Sequence, residues 1–288
     1  MNITFNNSIK AKIKRYLSIN FLLYILGRFK TIRLFYKNIN LAKKKFSDNH
    51  IESTNKNYLQ ININNQVILS KLKKEGYYEG LKLNNKIIDD LINLSNKSEL
   101  ISNKSQKKFN NLQEVNNFNK ENNRPCCLLN LISPNLNKLA NDISRDPIFL
   151  DIVGSYLGNI NKIDTKVQWS PVCNANDEWR EYNEQTVTFH YDVHDLNFIY
   201  IFFYLTECDR NSGAHQLIRG SHLNKKFFKH LIGSAKKKEE DLEQDYSTND
   251  FVVVEGSAGY GFIEDTSCYH RALKPINKPR LALQFRYH

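Results

Sequence analysis

No apolar run near the start of this 288-residue chain approaches the roughly 20 residues a helix needs to cross a bilayer; Phe21–Leu26 is too short. Arg28, Lys30 and Arg33 follow it at once without a small-residue cleavage site, which argues against a secretory signal. Cysteine is scarce. The five residues, Cys126, Cys127, Cys173, Cys208 and Cys268, are odd in number and show no CxxC spacing. That excludes a disulfide framework and a zinc ribbon and makes a reducing cytoplasm the expected location. Internal repeats are lacking, as is a glycine-rich loop that would cradle phosphates. Acidic residues are absent from positions 1–47.

That last absence locates the net charge of +11. Residues 1–47 carry 11 of the 41 Lys and Arg, leaving 30 basic against 30 acidic side chains in the rest. A neutral body gives no reason to expect a nucleic-acid-binding face. In the arm, Ile9, Ile13, Tyr16 and Leu17 recur at helical spacing. A basic amphipathic segment of this kind can make peripheral contact with an anionic membrane. The simpler reading is a helical extension packed on its own domain or on a second subunit. We therefore divide the chain into a basic extension, residues 1–50, and a domain over 58–288, joined by a polar linker that begins at Lys43-Lys44-Lys45.

Within the domain, an apolar stretch over 66–78 precedes a helical stripe at Ile87, Ile88, Leu91 and Ile92, with Asn84 or Asn85 as its cap. Residues 101–124 are rich in Asn, Lys and Ser and read as a mobile loop or lid. Leu136, Leu139 and Ile143 resume helical spacing. Asp146-Pro147 starts another helix, with Gly158 near its end. From Lys166 onward short apolar runs such as 186–192, 198–205, 251–255 and 281–287 alternate with turn clusters. Helices first and many short strands after predict a mainly β fold with packed helices, a double-stranded β-helix of the jelly-roll or cupin-like type.

Two stretches carry the chemistry. In Phe189-His190-Tyr191-Asp192, residues two apart on a strand share a face, so His190 and Asp192 point together, with Thr188 on the same side. His270, in Cys268-Tyr269-His270-Arg271, supplies a second imidazole. Two imidazoles and one carboxylate with open positions form the facial triad of non-haem Fe(II) oxygenases. Arg280 opens the last strand, with Ala282 and Gln284 on its face. A buried arginine there is unfavourable without an anion, and its planar fork suits a carboxylate-bearing co-substrate. His194 is the nearest rival ligand, although Asp195-Leu196-Asn197 reads as a turn that carries it off the strand.

Together with Phe203-Tyr204-Leu205-Thr206, Asn211-Ser212-Gly213 and Gly220-Ser221-His222, these stretches resemble the phytanoyl-CoA dioxygenase family from about residue 60 onward. The resemblance implies an Fe(II)- and 2-oxoglutarate-dependent dioxygenase with His190, Asp192 and His270 as iron ligands and Arg280 on the distal carboxylate. It makes the Gly-Ser-His turn structural and assigns no role to His215. Relatives with a Ser or Thr two residues after the Arg have Ala282 here, so a second carboxylate contact falls to Thr188, Gln168 or Tyr204. Halogenating relatives carry a small residue in place of Asp192, so hydroxylation is implied, with succinate and CO2 released. The substrate class stays open between free small molecules and acyl or lipid-linked ones. The rival readings are a non-catalytic jelly-roll protein holding a structural metal, and a zinc hydrolase.

Overall fold

Eleven strands make two antiparallel sheets among the described residues, which are 26–27, 29–44, 56–60, 64–192, 196–226 and 236–288 of a computed structural model. His194, most of Phe21–Leu26 and the amphipathic positions Ile9 to Leu17 lie outside these residues. The larger sheet has the order β1 (Tyr77–Lys82), β9 (Tyr260–Glu264), β6 (Ile199–Tyr204), β11 (Arg280–Tyr287), β5 (Ile163–Ser170), β4 (Leu129–Ile132), β2 (Glu99–Ser102), β3 (Lys108–Phe109). The smaller sheet has the order β10 (His270–Ala272), β7 (His215–Ile218), β8 (Phe251–Val254). A cavity lined from both sheets lies between them, as a jelly roll requires. The fold class expected from the sequence is the one found. Strands also begin earlier than expected, because β1 to β4 all precede residue 133 and extend the larger sheet.

Alternation along β11 shows how the sequence builds the two faces. Leu281, Leu283, Phe285 and Tyr287 enter the main core. Arg280, Ala282 and Gln284 line the cavity on the other face. Covering the core face are α2 (Asn65–Glu75), α3 (Asn85–Asn96), α5 (Pro134–Ser144) and α6 (Pro147–Leu157). Phe149 of α6 meets the rings of Phe203 and Phe285 at 5.9 and 6.2 Å. Each such side chain, fully buried, contributes about 1.5–3 kcal/mol. Asp146 caps α6 by accepting from Ile148 N at 2.8 Å, and its other oxygen takes Tyr58 N at 3.0 Å, tying the start of the domain to this helix.

Residues 101–124 are not a structureless lid. They include β3 and α4 (Leu112–Glu121), and Phe109 and Val115 are buried in the core. The asparagines that suggested mobility are bonded within the structure. Asn111 caps α4 at Glu114 N, 2.9 Å away, and Asn119 exchanges two bonds with the Cys126 backbone at 2.8 and 3.0 Å. Capping chemistry and disorder draw on the same residue types, and burial decides between them.

Helix α1 (Lys30–Lys44), inside the basic arm, lies against α6. A Cβ on Gly158 would meet the Asn40 carbonyl carbon and Leu41 N at 2.7 Å, so only glycine permits this approach. Arg33 donates to His222 O at 3.2 Å and stands 3.5 Å from the Asp265 carboxylate. No helix among the described residues is long and apolar enough to cross a membrane.

Candidate metal centre

The segment that carries His190 is extended but belongs to neither sheet. It is held by isolated bridges, Phe189 to Lys237 and His190 to His270. His190 N donates to His270 O at 2.9 Å and His270 N returns to His190 O at 2.7 Å. Asp192 N donates to Thr266 O at 2.8 Å. These bonds align 190–192 against 266–270 and so bring together residues distant in sequence. Alternation then sorts the faces: Phe189 and Tyr191 enter an apolar cluster with Ile218, Leu242 and Tyr269, while His190 and Asp192 line the cavity.

His190, Asp192 and His270 each offer a ligand atom, and these atoms lie within 4.8 Å of one another. His190 Nδ1 is 3.1 Å from Thr188 O, and His270 Nδ1 is 3.0 Å from Cys268 O. A carbonyl only accepts, so Nδ1 carries the hydrogen in each ring and Nε2 keeps its lone pair. Each Nε2 is 3.8 Å from an Asp192 oxygen, Oδ1 for His190 and Oδ2 for His270. Burial lowers the pKa of both imidazoles, that of His270 to about 4, and so favours the neutral ligand form. Two neutral Nε2 atoms and a carboxylate, each imidazole oriented by a backbone acceptor, fit a divalent transition metal.

Arg280 lines the same cavity, buried at the start of β11 opposite Ser170. Its Nη1 donates to Gly213 O and its Nη2 to Ser170 Oγ at 3.2 Å, while Nε is buried without a hydrogen-bond partner among the described residues. Ser170, on the neighbouring strand, is the hydroxyl beside the guanidinium. Gln168 and Tyr204 also line the cavity, but each has a partner: Gln168 Nε2 donates to Asn130 Oδ1 at 2.7 Å, and the Tyr204 hydroxyl donates to Val254 O at 2.9 Å.

Thr188 is a correction. The chain bends there, so the alternation that carries His190 and Asp192 inward does not extend back to it. Its backbone N donates to Glu181 Oε1 at 2.8 Å, and it borders a different, outer cavity with Lys237 and Glu239. The co-substrate contact expected of Thr188 is therefore not available from this side chain.

At the site stand His215, to which the sequence reading gave no role, and Glu264, which it did not single out. His215, on β7, lines the cavity with its ring stacked 5.4 Å from that of His270, and its Nε2 meets Glu264 Oε2 at 2.6 Å. Glu264 ends β9 fully buried. The available signal was a carboxylate closing the apolar run Tyr260-Gly261-Phe262-Ile263, since such a residue must turn inward with a partner. His222, read as structural, lies away from this cavity, with Nε2 3.3 Å from Lys73 O.

No protein-family model matches the chain, and no curated protein matches it in sequence. Several solved structures are similar in chain course. AviO1 from Streptomyces viridochromogenes Tue57 is 11% identical over 79% of this chain and 96% of its own, with a TM-score of 0.48. The non-heme alpha ketoglutarate dependent carbocyclase SnoK from nogalamycin biosynthesis is 13% identical over 77% of this chain and 83% of its own, with a TM-score of 0.45. HygX from Streptomyces hygroscopicus, solved with nickel, 2-oxoglutarate and hygromycin B bound, is 11% identical over 77% and 86%, with a TM-score of 0.47. At such identities the roles of side chains rest on this chain's own residues.

Proposed function

We propose that this chain is an Fe(II)- and 2-oxoglutarate-dependent oxygenase of the phytanoyl-CoA dioxygenase type that hydroxylates a small molecule. The observation that carries the reading is one cavity holding both a His-Asp-His donor set and a buried arginine that enters no ion pair among the described residues. Fe(II) and 2-oxoglutarate, when bound, supply an oxidant for a C–H bond, with succinate and CO2 as co-products.

The chain's own contribution is positioning. His190 and His270 present Nε2 because Nδ1 is committed to the backbone in each. Asp192 would bring one negative charge to a bound Fe(II), where a small residue would leave room for a halide. Arg280 offers donors for the distal carboxylate of the co-substrate, with Ser170 alongside. Phe202, Phe262 and Ala282 supply apolar parts of the cavity wall. A structural metal would not call for Arg280 in the same cavity, and a zinc hydrolase would leave it buried without purpose. We place the oxygenase in residues 58–288, in the cytoplasm, with α1 as an appended element.

The test is spectroscopic. Under anaerobic conditions Fe(II) plus 2-oxoglutarate should give a visible charge-transfer band with the parent protein. Asp192→Ala and His270→Ala should lose it, with a fall in iron affinity beyond the about 10–100-fold typical of a lost outer-shell partner. Parent-like iron binding in both variants would remove the triad assignment.

A further inference from the structure

The cavity wall carries polar atoms that neither the candidate metal nor the co-substrate carboxylate uses. Gln185 is buried and lines the cavity. Its Oε1 accepts from Arg180 Nη1 at 2.6 Å, and a guanidinium only donates, so the orientation of the amide is fixed. Gln185 Nε2 is then a buried donor without a partner among the described residues. Arg180 cannot shift to relieve it, since its Nη2 donates to Cys173 O at 2.6 Å and its Nε to Ala175 O at 3.1 Å.

Asn103 is the complement. Its Nδ2 donates to Glu184 Oε2 at 3.1 Å, and a carboxylate only accepts, so Asn103 Oδ1 is the remaining acceptor, buried and without a partner among the described residues. Thr266 Oγ1, on the same lining, is likewise buried and unpartnered. Glu184 holds φ 65, a left-handed conformation that is strained for a residue other than glycine. Strain and unsatisfied polar atoms are both costly in a folded chain, and they persist together where a ligand repays them.

We propose that the substrate is a small polar molecule carrying hydroxyl or amide groups on neighbouring carbons, and that Gln185 and Asn103 select it by pairing one acceptor and one donor. An acyl chain laid on this wall would seal the amide atoms against methylenes and leave them permanently unsatisfied. A polyol or an acetamido sugar can satisfy both, because each carries donors and acceptors on one small frame. The cavity, about 290 Å³, would have to hold this molecule beside the co-substrate, which limits it to a small one. The oxidation of this substrate rests on the oxygenase reading; its binding does not.

Ligand-observed NMR on the metal-free full chain tests the binding with two probe sets. The polar set is myo-inositol, N-acetylglucosamine and glutamine amide; the acyl set is octanoate and octanoyl-pantetheine. Saturable binding is expected from the polar set, weakened about tenfold in Asn103→Ala and in Gln185→Leu by loss of one hydrogen bond in a water-poor wall. Gln185→Leu also removes a partner of Arg180, so Asn103→Ala, at a half-buried position, serves where the first variant fails to fold. Binding by acyl probes alone, binding by neither set, or polar binding equally tight in both variants would overturn the proposal. Absence of the Fe(II)–2-oxoglutarate band would instead sink the oxygenase reading and leave polar binding, measured without metal, intact.

Discussion

His215 Nε2 lies 2.6 Å from Glu264 Oε2, both residues are buried, and the His215 ring stacks on that of His270. Burial pushes the Glu264 carboxyl up to about 8 and pulls the His215 imidazole down to about 3. Both directions disfavour charge, so the two groups face each other as neutral species, in close contact but without hydrogen-bond geometry. Glu264 Oε1 is also 3.8 Å from His270 Nδ1, which places this pair directly behind a candidate ligand.

The pair predicts opposite outcomes for two substitutions. Glu264→Gln keeps a polar side chain of the same shape beside His215 Nε2 and should change stability by less than about 1 kcal/mol. Glu264→Leu sets an apolar side chain against that buried nitrogen and should cost about 1–3 kcal/mol. Urea denaturation of the metal-free protein reads both. Equal stability of the two variants would show that a polar neighbour for His215 contributes nothing.

Arg280→Lys retains charge but loses the planar fork. Affinity for 2-oxoglutarate should fall by roughly 1.5–3 kcal/mol, the range for a charged hydrogen bond. Iron binding should survive, because Arg280 is not among the three clustered ligand residues. Titration of 2-oxoglutarate into the Fe(II)-loaded protein measures it, and parent-like affinity in Arg280→Lys and Arg280→Ala would move the anchor elsewhere.

A pH dependence follows from Lys225. This side chain is half-buried, donates to Ser221 O at 2.8 Å and to Ser267 O, and lies over the rings of Tyr191 and Tyr269. Burial lowers its pKa from 10.5 to about 7. Between those values the unfolded chain holds a proton that the native state has released, so stability rises with pH across the window. The Tm of the parent minus that of Lys225→Met should therefore increase from pH about 7 to about 10. A flat difference would mean that the ammonium is not depressed.

The arm makes its own test. Burial alone would raise the Asp265 carboxyl, but Arg33, His222 and Lys37 outweigh it and hold it well below the usual carboxylate range. Arg33→Met should cost about 1–3 kcal/mol, because Asp265 then loses its closest guanidinium. Deleting residues 1–44 should lower Tm as well, and anionic vesicles should sediment full-length and truncated protein equally. Retention of the full-length chain alone, with Tm unchanged, would make the arm a membrane anchor.

Much of the site was legible because it depends on local geometry. A spacing of two put His190 and Asp192 on one face, and the same rule divided β11 between Arg280 on the cavity and Leu281 in the core. The start of α6 was readable from Asp146-Pro147, since a cap and a first-turn proline act over a few residues. The rule failed at Thr188, where a bend that alternation does not encode turns the side chain outward. Composition misled over 101–124, because asparagine serves caps and buried backbone bonds as readily as solvent.

By itself the sequence determined the candidate ligand types, their shared face, the arginine in register and the confinement of excess charge to residues 1–47. All of these are properties of periodicity and count. Only the tertiary structure decided that His270 pairs with His190, that Glu264 sits under His215, and that Gln185 and Asn103 leave one amide atom each to the cavity. Such facts depend on which distant segments pack together and on how completely they exclude water, because desolvation makes an unpaired atom costly or a carboxyl neutral. A linear pattern carries no record of that packing.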